Sequence, residues 1–182
     1  MSNKRADKIL KIAIVLALIG LAVWSRFVPH PANFTALTAV ALFGGAMLPR
    51  QWAFIVPIGA MILSDLFIGF HSLSIVVWLS FALAVLIGRK LYNQRTVMRI
   101  AGASLMSSTA FFIITNFAVW AEGRMYGGSL DQLVLSYVNA IPFYRNMIVG
   151  DLLYTGVLFG AYALVTYTAG YVWSQRRHMY AS

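Results

Sequence analysis

The chain has 182 residues, 60% of them hydrophobic and only 10% charged, with a mean hydropathy of +0.77. That is too apolar for a soluble domain of this length, so composition points to an integral membrane protein. Cysteine is absent, which excludes disulfides and thiolate metal sites. The surplus of 14 Lys and Arg over five Asp and Glu would suggest nucleic acid in a soluble protein. Here the basic residues cluster between apolar runs, which is a signal of membrane topology and not of a nucleic-acid partner.

Six apolar runs follow in chain order. The first, residues 9–25, comes after the basic start "NKRADK"; no small-x-small cleavage site follows "AVWSRF", so it reads as a retained helix and not a secretory signal. The second, 35–48, is short, bounded by "PHPAN" before it and Pro49-Arg50 after it. The others cover 52–70, 74–88, 100–120 and 147–173. Several fall short of the roughly 20 residues that cross a bilayer upright, which implies re-entrant ends or local thinning of the membrane. The fold expected is all-α: one integral membrane domain over 1–182, a bundle of six transmembrane helices. The longest connection, 121–146, contains "SLDQLVLSYV", with a serine at its start and apolar residues at helical spacing. This predicts a short outer interfacial helix between helices five and six, placed to cover the bundle end.

An even number of spans puts both termini on one side. That side would hold Lys4, Arg5, Lys8, Lys11, Arg50, Arg89, Lys90, Arg95, Arg99, Arg176 and Arg177, against Arg26, Arg124 and Arg145 on the other. The bias places both termini in the cytoplasm of a bacterial inner-membrane protein. Trp24, Trp78 and Trp120 then fall at outer helix ends, and Trp52 and Trp173 at inner ends, where amphipathic rings settle.

With this orientation polar groups from five segments collect in one outer layer. Asp65 in "ILSDLFIGFH" and Asp151 in "NMIVGDLLYTG" lie at similar depth, beside Asn33, Asn116, Arg145 and Asn146. An ionised carboxylate inside a membrane costs about 3 kcal/mol or more unless it is paired or faces water, so each aspartate needs a partner or a use. Two readings stand for Asp65 and Asp151: they line an outward pocket, or they hold the bundle by pairing with Arg145 or Arg26. Asn33 after "HPA" is a candidate N-cap of the second helix as well as a pocket residue. Asn116 lies inside a helix, where a helix-to-helix hydrogen bond competes with a ligand contact. His30 and His71 sit at loop edges, without the facing positions or His-x-x-His spacing that a haem or metal site would use. His178 lies in the basic tail and reads as solvated. Ala13-x-x-x-Ala17 and Gly156-x-x-x-Gly160 put small residues on one helix face, a weak signal that ordinary bundle packing also explains. No P-loop, nucleophile elbow, HExxH or dinucleotide fingerprint occurs, so an ATPase would have to be another chain.

The stretches "PHPANFTALTAVALFGGAMLPR", "FIVPIGAMILSDLFIGFH", "FFIITNFAVW" and "AIPFYRNMIVGDLLYTGVLFG" resemble a family of small, poorly characterised bacterial six-helix membrane proteins. That family is related to the substrate-binding S components of energy-coupling factor (ECF) transporters. The resemblance covers roughly residues 27–165, and its link to S components rests on size, helix number and topology. It implies capture of a vitamin-like solute from outside by outer helix ends and loops, with a coupling subunit and ATPases as separate chains. It also implies that Ala13 and Ala17, matching a first-helix docking motif, contact that coupling subunit. Some relatives import cobalamin with a cysteine on cobalt; with no cysteine here that chemistry does not carry over, although His71 offers a ligand. The expectation is therefore a non-enzymatic substrate-capture subunit without a resident cofactor, its substrate-binding residues being Asn33, Asp65, His71, Asn116, Arg145, Asn146 and Asp151. The alternatives are a membrane scaffold whose polar residues only hold the bundle, and a haem- or cobalamin-binding membrane protein.

Overall fold

The computed structural model describes residues 2–180, with side chains at Arg5 and over 8–169. The readings that involve the side chains of Lys4, Trp173, Arg176, Arg177 and His178 lie outside the described residues. The six expected helices are present: α1 (Ser2–Phe27), α2 (Leu37–Met47), α3 (Arg50–Ile68), α4 (Ser74–Arg89), α5 (Val97–Glu122) and α6 (Leu130–Tyr180). Four of them, α1, α3, α5 and α6, are long and apolar enough to cross a membrane, and α2 and α4 are shorter apolar helices. The chain is thus an all-α protein with the helices of a membrane protein.

The shortest helix occupies the middle. At 1.5 Å per residue the 11 residues of α2 reach about 17 Å, roughly half the hydrocarbon thickness of a bilayer. Residues Leu37 to Ala46 are all buried, since α1, α3, α4, α5 and α6 all pack against α2. A helix enclosed in this way has no polar face, and "LTAVALFGGAM" shows none. Its two glycines have separate neighbours. Gly44 meets α3 at ordinary distance, whereas a Cβ on Gly45 would overlap the Val85 carbonyl and one on Gly88 of α4 would overlap the Leu42 carbonyl. The backbones of α2 and α4 therefore touch at a crossing that only glycine permits.

Helix ends follow local chemistry. Thr96 caps α5, its hydroxyl accepting from the Arg99 amide at 3.4 Å, and Gly123 closes the same helix with φ 71°. Gly69 ends α3 with φ 104°. Before α1 enters its apolar run it is already helical from Ser2, because Lys, Arg and Ala are good helix formers.

One boundary is corrected. The separate interfacial helix expected around 129–138 is the beginning of α6, which runs unbroken from Leu130 past Pro142. Proline removes one backbone donor, but α5 grips α6 on both sides of it. Tyr137 Oη donates to the Ile113 carbonyl (2.9 Å) before the proline, and Tyr144 stacks on Phe112 (ring centroids 4.4 Å apart) after it. The apolar stretch Leu130–Ala169 covers about 60 Å, twice the hydrocarbon thickness, and its first turns lie beside the end of α5.

Candidate functional site: a cavity beside Arg26

The site begins at the last turn of α1. Ser25 Oγ donates to the Ala22 carbonyl (2.8 Å) and accepts from the Ala36 amide (3.0 Å), which ties the returning chain to α1 just before α2 starts. The next residue, Arg26, reaches α3: Nη1 lies 2.6 Å from Asp65 Oδ1 and also donates to Ser64 Oγ. Trp78 of α4 donates its indole N–H to the other oxygen, Asp65 Oδ2, at 3.0 Å. One carboxylate thus joins three helices, and both of its oxygens are used. Asp65 is 0% exposed, whereas 16% of the Arg26 side chain remains open. The guanidinium lines a cavity and the carboxylate is sealed behind it.

That cavity has a volume of about 420 Å³ and lies over the start of α2, where Thr35, Leu37 and Thr38 line it. No side chain caps α2 at Ala36, so the amides of its first turn keep the positive end of the helix directed there. Arg26, His30, Asn33 and His71 supply polar groups; Met61, Phe81, Phe111 and Met147 supply apolar walls. The α1–α2 connection that carries His30 and Asn33 is held in shape. The Phe34 amide donates to the Pro31 carbonyl (3.0 Å), and Asn33 takes a left-handed φ of 63°, which Asn tolerates better than most residues. Phe34 packs edge-on against Tyr154 of α6 and presses on Gly150. His30 Nδ1 lies 2.8 Å from the Pro31 carbonyl, an arrangement that makes Nδ1 the donor in the neutral ring and leaves Nε2 as acceptor.

The structure separates the expected site residues. Asn33 and His71 line the cavity. Asn116 lines an annex of about 80 Å³ that shares Asn33, Phe111, Thr115 and Met147 with it; its own amide donates to the Phe112 carbonyl one turn back (2.8 Å). Asn146 lines neither space but braces the loop, donating to the Ala32 carbonyl (3.2 Å). Arg145 is exposed and away from both spaces. Asp65 is the partner of Arg26. Asp151 is buried among helices, accepting from Ser108 Oγ at 2.6 Å with the Thr38 side chain also facing it, so it stands one residue behind the cavity wall. Asn33 is not the N-cap of α2; Ala36, three residues later, holds that place and the helix starts at Leu37.

Sequence reasoning missed Thr35, Thr38 and Thr115 as cavity residues and did not name Arg26 among the substrate-binding residues. The available sign for the first two was that both hydroxyls flank the start of α2, Thr35 just before it and Thr38 in its first turn. Ala13 and Ala17 are exposed on α1, whose Val15, Leu18 and Ala22 turn inward. Among the described residues no three His, Asp or Glu side chains converge as a metal site. What the cavity offers is polar groups together with aromatic and thioether surface, the pattern of a site for a small amphipathic organic molecule.

Neither a curated protein nor a solved structure matches the chain. A family model does match, over residues 7–174, nearly the whole length. The chain belongs to that family, described as a family of unknown function (DUF6580).

Proposed function

We propose that the protein is a substrate-capture membrane subunit that takes a small vitamin-like solute from the outer side, in the manner of an ECF transporter S component. The cavity beside Arg26 carries this reading: about 420 Å³ falls within the range used for small organic ligands, and all six helices and two of their connections converge on it. Arg26, His30 and Asn33 would orient the polar part of the solute while Phe81, Phe111 and Met147 cover the rest. The exposed Ala13 and Ala17 would give a coupling subunit close access to α1, and ATPases would be further chains. In this reading the molecule sits in a bacterial inner membrane with both termini cytoplasmic, because of the Lys and Arg asymmetry. A scaffold role accounts well for Asp65 and Asp151, each consumed by neighbours, but gives no reason for the open space above α2.

Asn33 offers a clean test of the cavity. Its left-handed backbone suits glycine, so Asn33→Gly removes the amide from the wall and leaves the loop conformation available. Native mass spectrometry of protein drawn from its own membranes should reveal a bound solute, and Asn33→Gly should weaken its retention by roughly three- to tenfold, the worth of one hydrogen bond. Equal retention by the variant, or wild-type protein without any solute, would remove the capture reading.

Orientation has its own test, aided by the absence of native cysteine. Single cysteines at Ser129, between α5 and α6, and at Asn93, between α4 and α5, are both exposed positions. An impermeant thiol reagent on intact spheroplasts should label Ser129→Cys and spare Asn93→Cys. The reverse pattern would turn the molecule over and put the cavity on the cytoplasmic side.

A further inference from the structure

A second recess, about 590 Å³, lies at the other end of the bundle, where α2 ends and α5 begins. Met47, Ile100 and Phe159 wall it, and Gly156 and Gly160 of α6 form part of its floor. A Cβ added to either glycine would meet nothing within 4 Å, so these positions are not seats for another helix of this chain. They leave an apolar furrow along α6 that extends from Leu152 to Thr166, about 21 Å at 1.5 Å per residue. One leaflet of hydrocarbon is about 15 Å deep, so the furrow matches an acyl chain with part of its head region.

Its polar end is Arg95. The guanidinium donates to the Ala46 carbonyl at 3.3 Å and lies over the rings of Tyr92 (5.7 Å) and Tyr162 (6.0 Å). Among the described residues it has no carboxylate partner: the ion pairs formed are Arg26 with Asp65 and Arg124 with Glu122. Arg50, Arg89, Lys90 and Arg99 stand at the same end of the helices, and the N-terminus of α5 adds its positive dipole there. A recess that is apolar along its length and unopposed in positive charge at one end is complementary to an amphiphile with a negative head.

We propose that this recess binds an anionic phospholipid, one acyl chain lying over Gly156 and Gly160 and the phosphate meeting Arg95 and the α5 N-terminus. The proposal stands apart from solute capture, since it uses the opposite end of the bundle and none of the same residues. A partner helix would fill the furrow but would leave Arg95 without a counter-charge unless it brought its own acid, which is why the lipid is the better occupant.

The test uses full-length protein in detergent, titrated with dioleoylphosphatidylglycerol and, in parallel, with zwitterionic dioleoylphosphatidylethanolamine, and read by native mass spectrometry. The wild type should bind the anionic lipid about fivefold more tightly, one basic residue at a membrane surface contributing about that much. Arg95→Gln should abolish this preference and Arg95→Lys should keep it. Gly160→Leu should weaken binding of both lipids, with the lipid-free melting temperature unchanged because the added side chain meets open space. Equal binding of the two lipids by the wild type, a preference that survives Arg95→Gln, or binding indifferent to Gly160→Leu would each overturn the proposal. A dimer that forms without lipid and is lost on Gly160→Leu would assign the furrow to a second copy instead.

Discussion

Gly45→Ala and Gly88→Ala are each expected to destabilise the protein by about 3 kcal/mol or to prevent its assembly, the upper part of the overpacking range. Each glycine faces backbone, not a side chain that could swing aside. A Cβ on Gly45 would overlap the Val85 carbonyl oxygen and lie 3.2 Å from the Arg89 amide nitrogen; one on Gly88 would overlap the Leu42 carbonyl oxygen and lie 3.0 Å from the Leu42 Cα. Relief would require α2 and α4 to separate, yet α2 is enclosed on every side and has nowhere to go. The helices would lose their closest contact and the α2 face against α3 and α6 would be strained in turn.

Gly102→Ala is the matched control. It lies in the second turn of α5, and a Cβ there meets nothing within 4 Å. Alanine is the better helix former by about 1 kcal/mol, so this variant should be neutral or slightly more stable. Heating detergent-solubilised protein and measuring the monodisperse fraction that survives distinguishes the cases. If Gly45→Ala and Gly102→Ala behave alike, the close crossing is not a determinant of the fold. Either failure at the crossing should also reach the cavity, since α2 carries Thr38 and Leu37 into its wall.

The number and order of helices were legible because hydropathy marks them directly, and Pro49 marked the end of α2 through its missing donor and fixed φ. The place of Asp65 near the C-terminal end of α3 was legible from hydropathy. Its direction was not, and the reason is physical. In water a helix announces its inner face by an apolar stripe, but a bilayer is as apolar as a protein core, so that contrast fades. In α3 the outward-facing Leu63, Leu66 and Phe67 are as hydrophobic as the buried Val56 and Met61. Nothing in "ILSDLFIGFH" therefore says that its aspartate turns toward Arg26 and Trp78 instead of a cavity. The continuity of α6 was hidden for another reason: Pro142 carries a strong local signal for a break, and the packing of Tyr137 and Tyr144 on α5 overrides it. The cavity itself comes from a loop and the start of a buried half-length helix, features that depend on how all six helices close together and leave little trace in any one of them.

Arg26→Met is expected to cost more stability than Asp65→Asn, although the two remove the same ion pair. Breaking a buried pair from one side costs about 3–5 kcal/mol because a charge is left without compensation. Which charge is left decides where in that range each variant falls. Without Arg26, the Asp65 carboxylate keeps only the Trp78 indole N–H and remains fully enclosed, so Arg26→Met should approach about 5 kcal/mol. Asp65→Asn leaves Arg26 at the cavity wall, where water can reach its open side and Ser64 still accepts from it, and the new carboxamide oxygen can still take the indole N–H. Its cost should lie nearer about 3 kcal/mol. The double variant Arg26→Met with Asp65→Asn should recover part of the loss of Arg26→Met alone, because no charge then remains in the enclosed position. Thermal unfolding of the four proteins in one detergent, without added solute, gives the coupling. Additive losses, or an Asp65→Asn variant as stable as wild type, would mean that this pair does not hold α1 to α3, and would return Asp65 to the cavity as a residue whose use is the ligand.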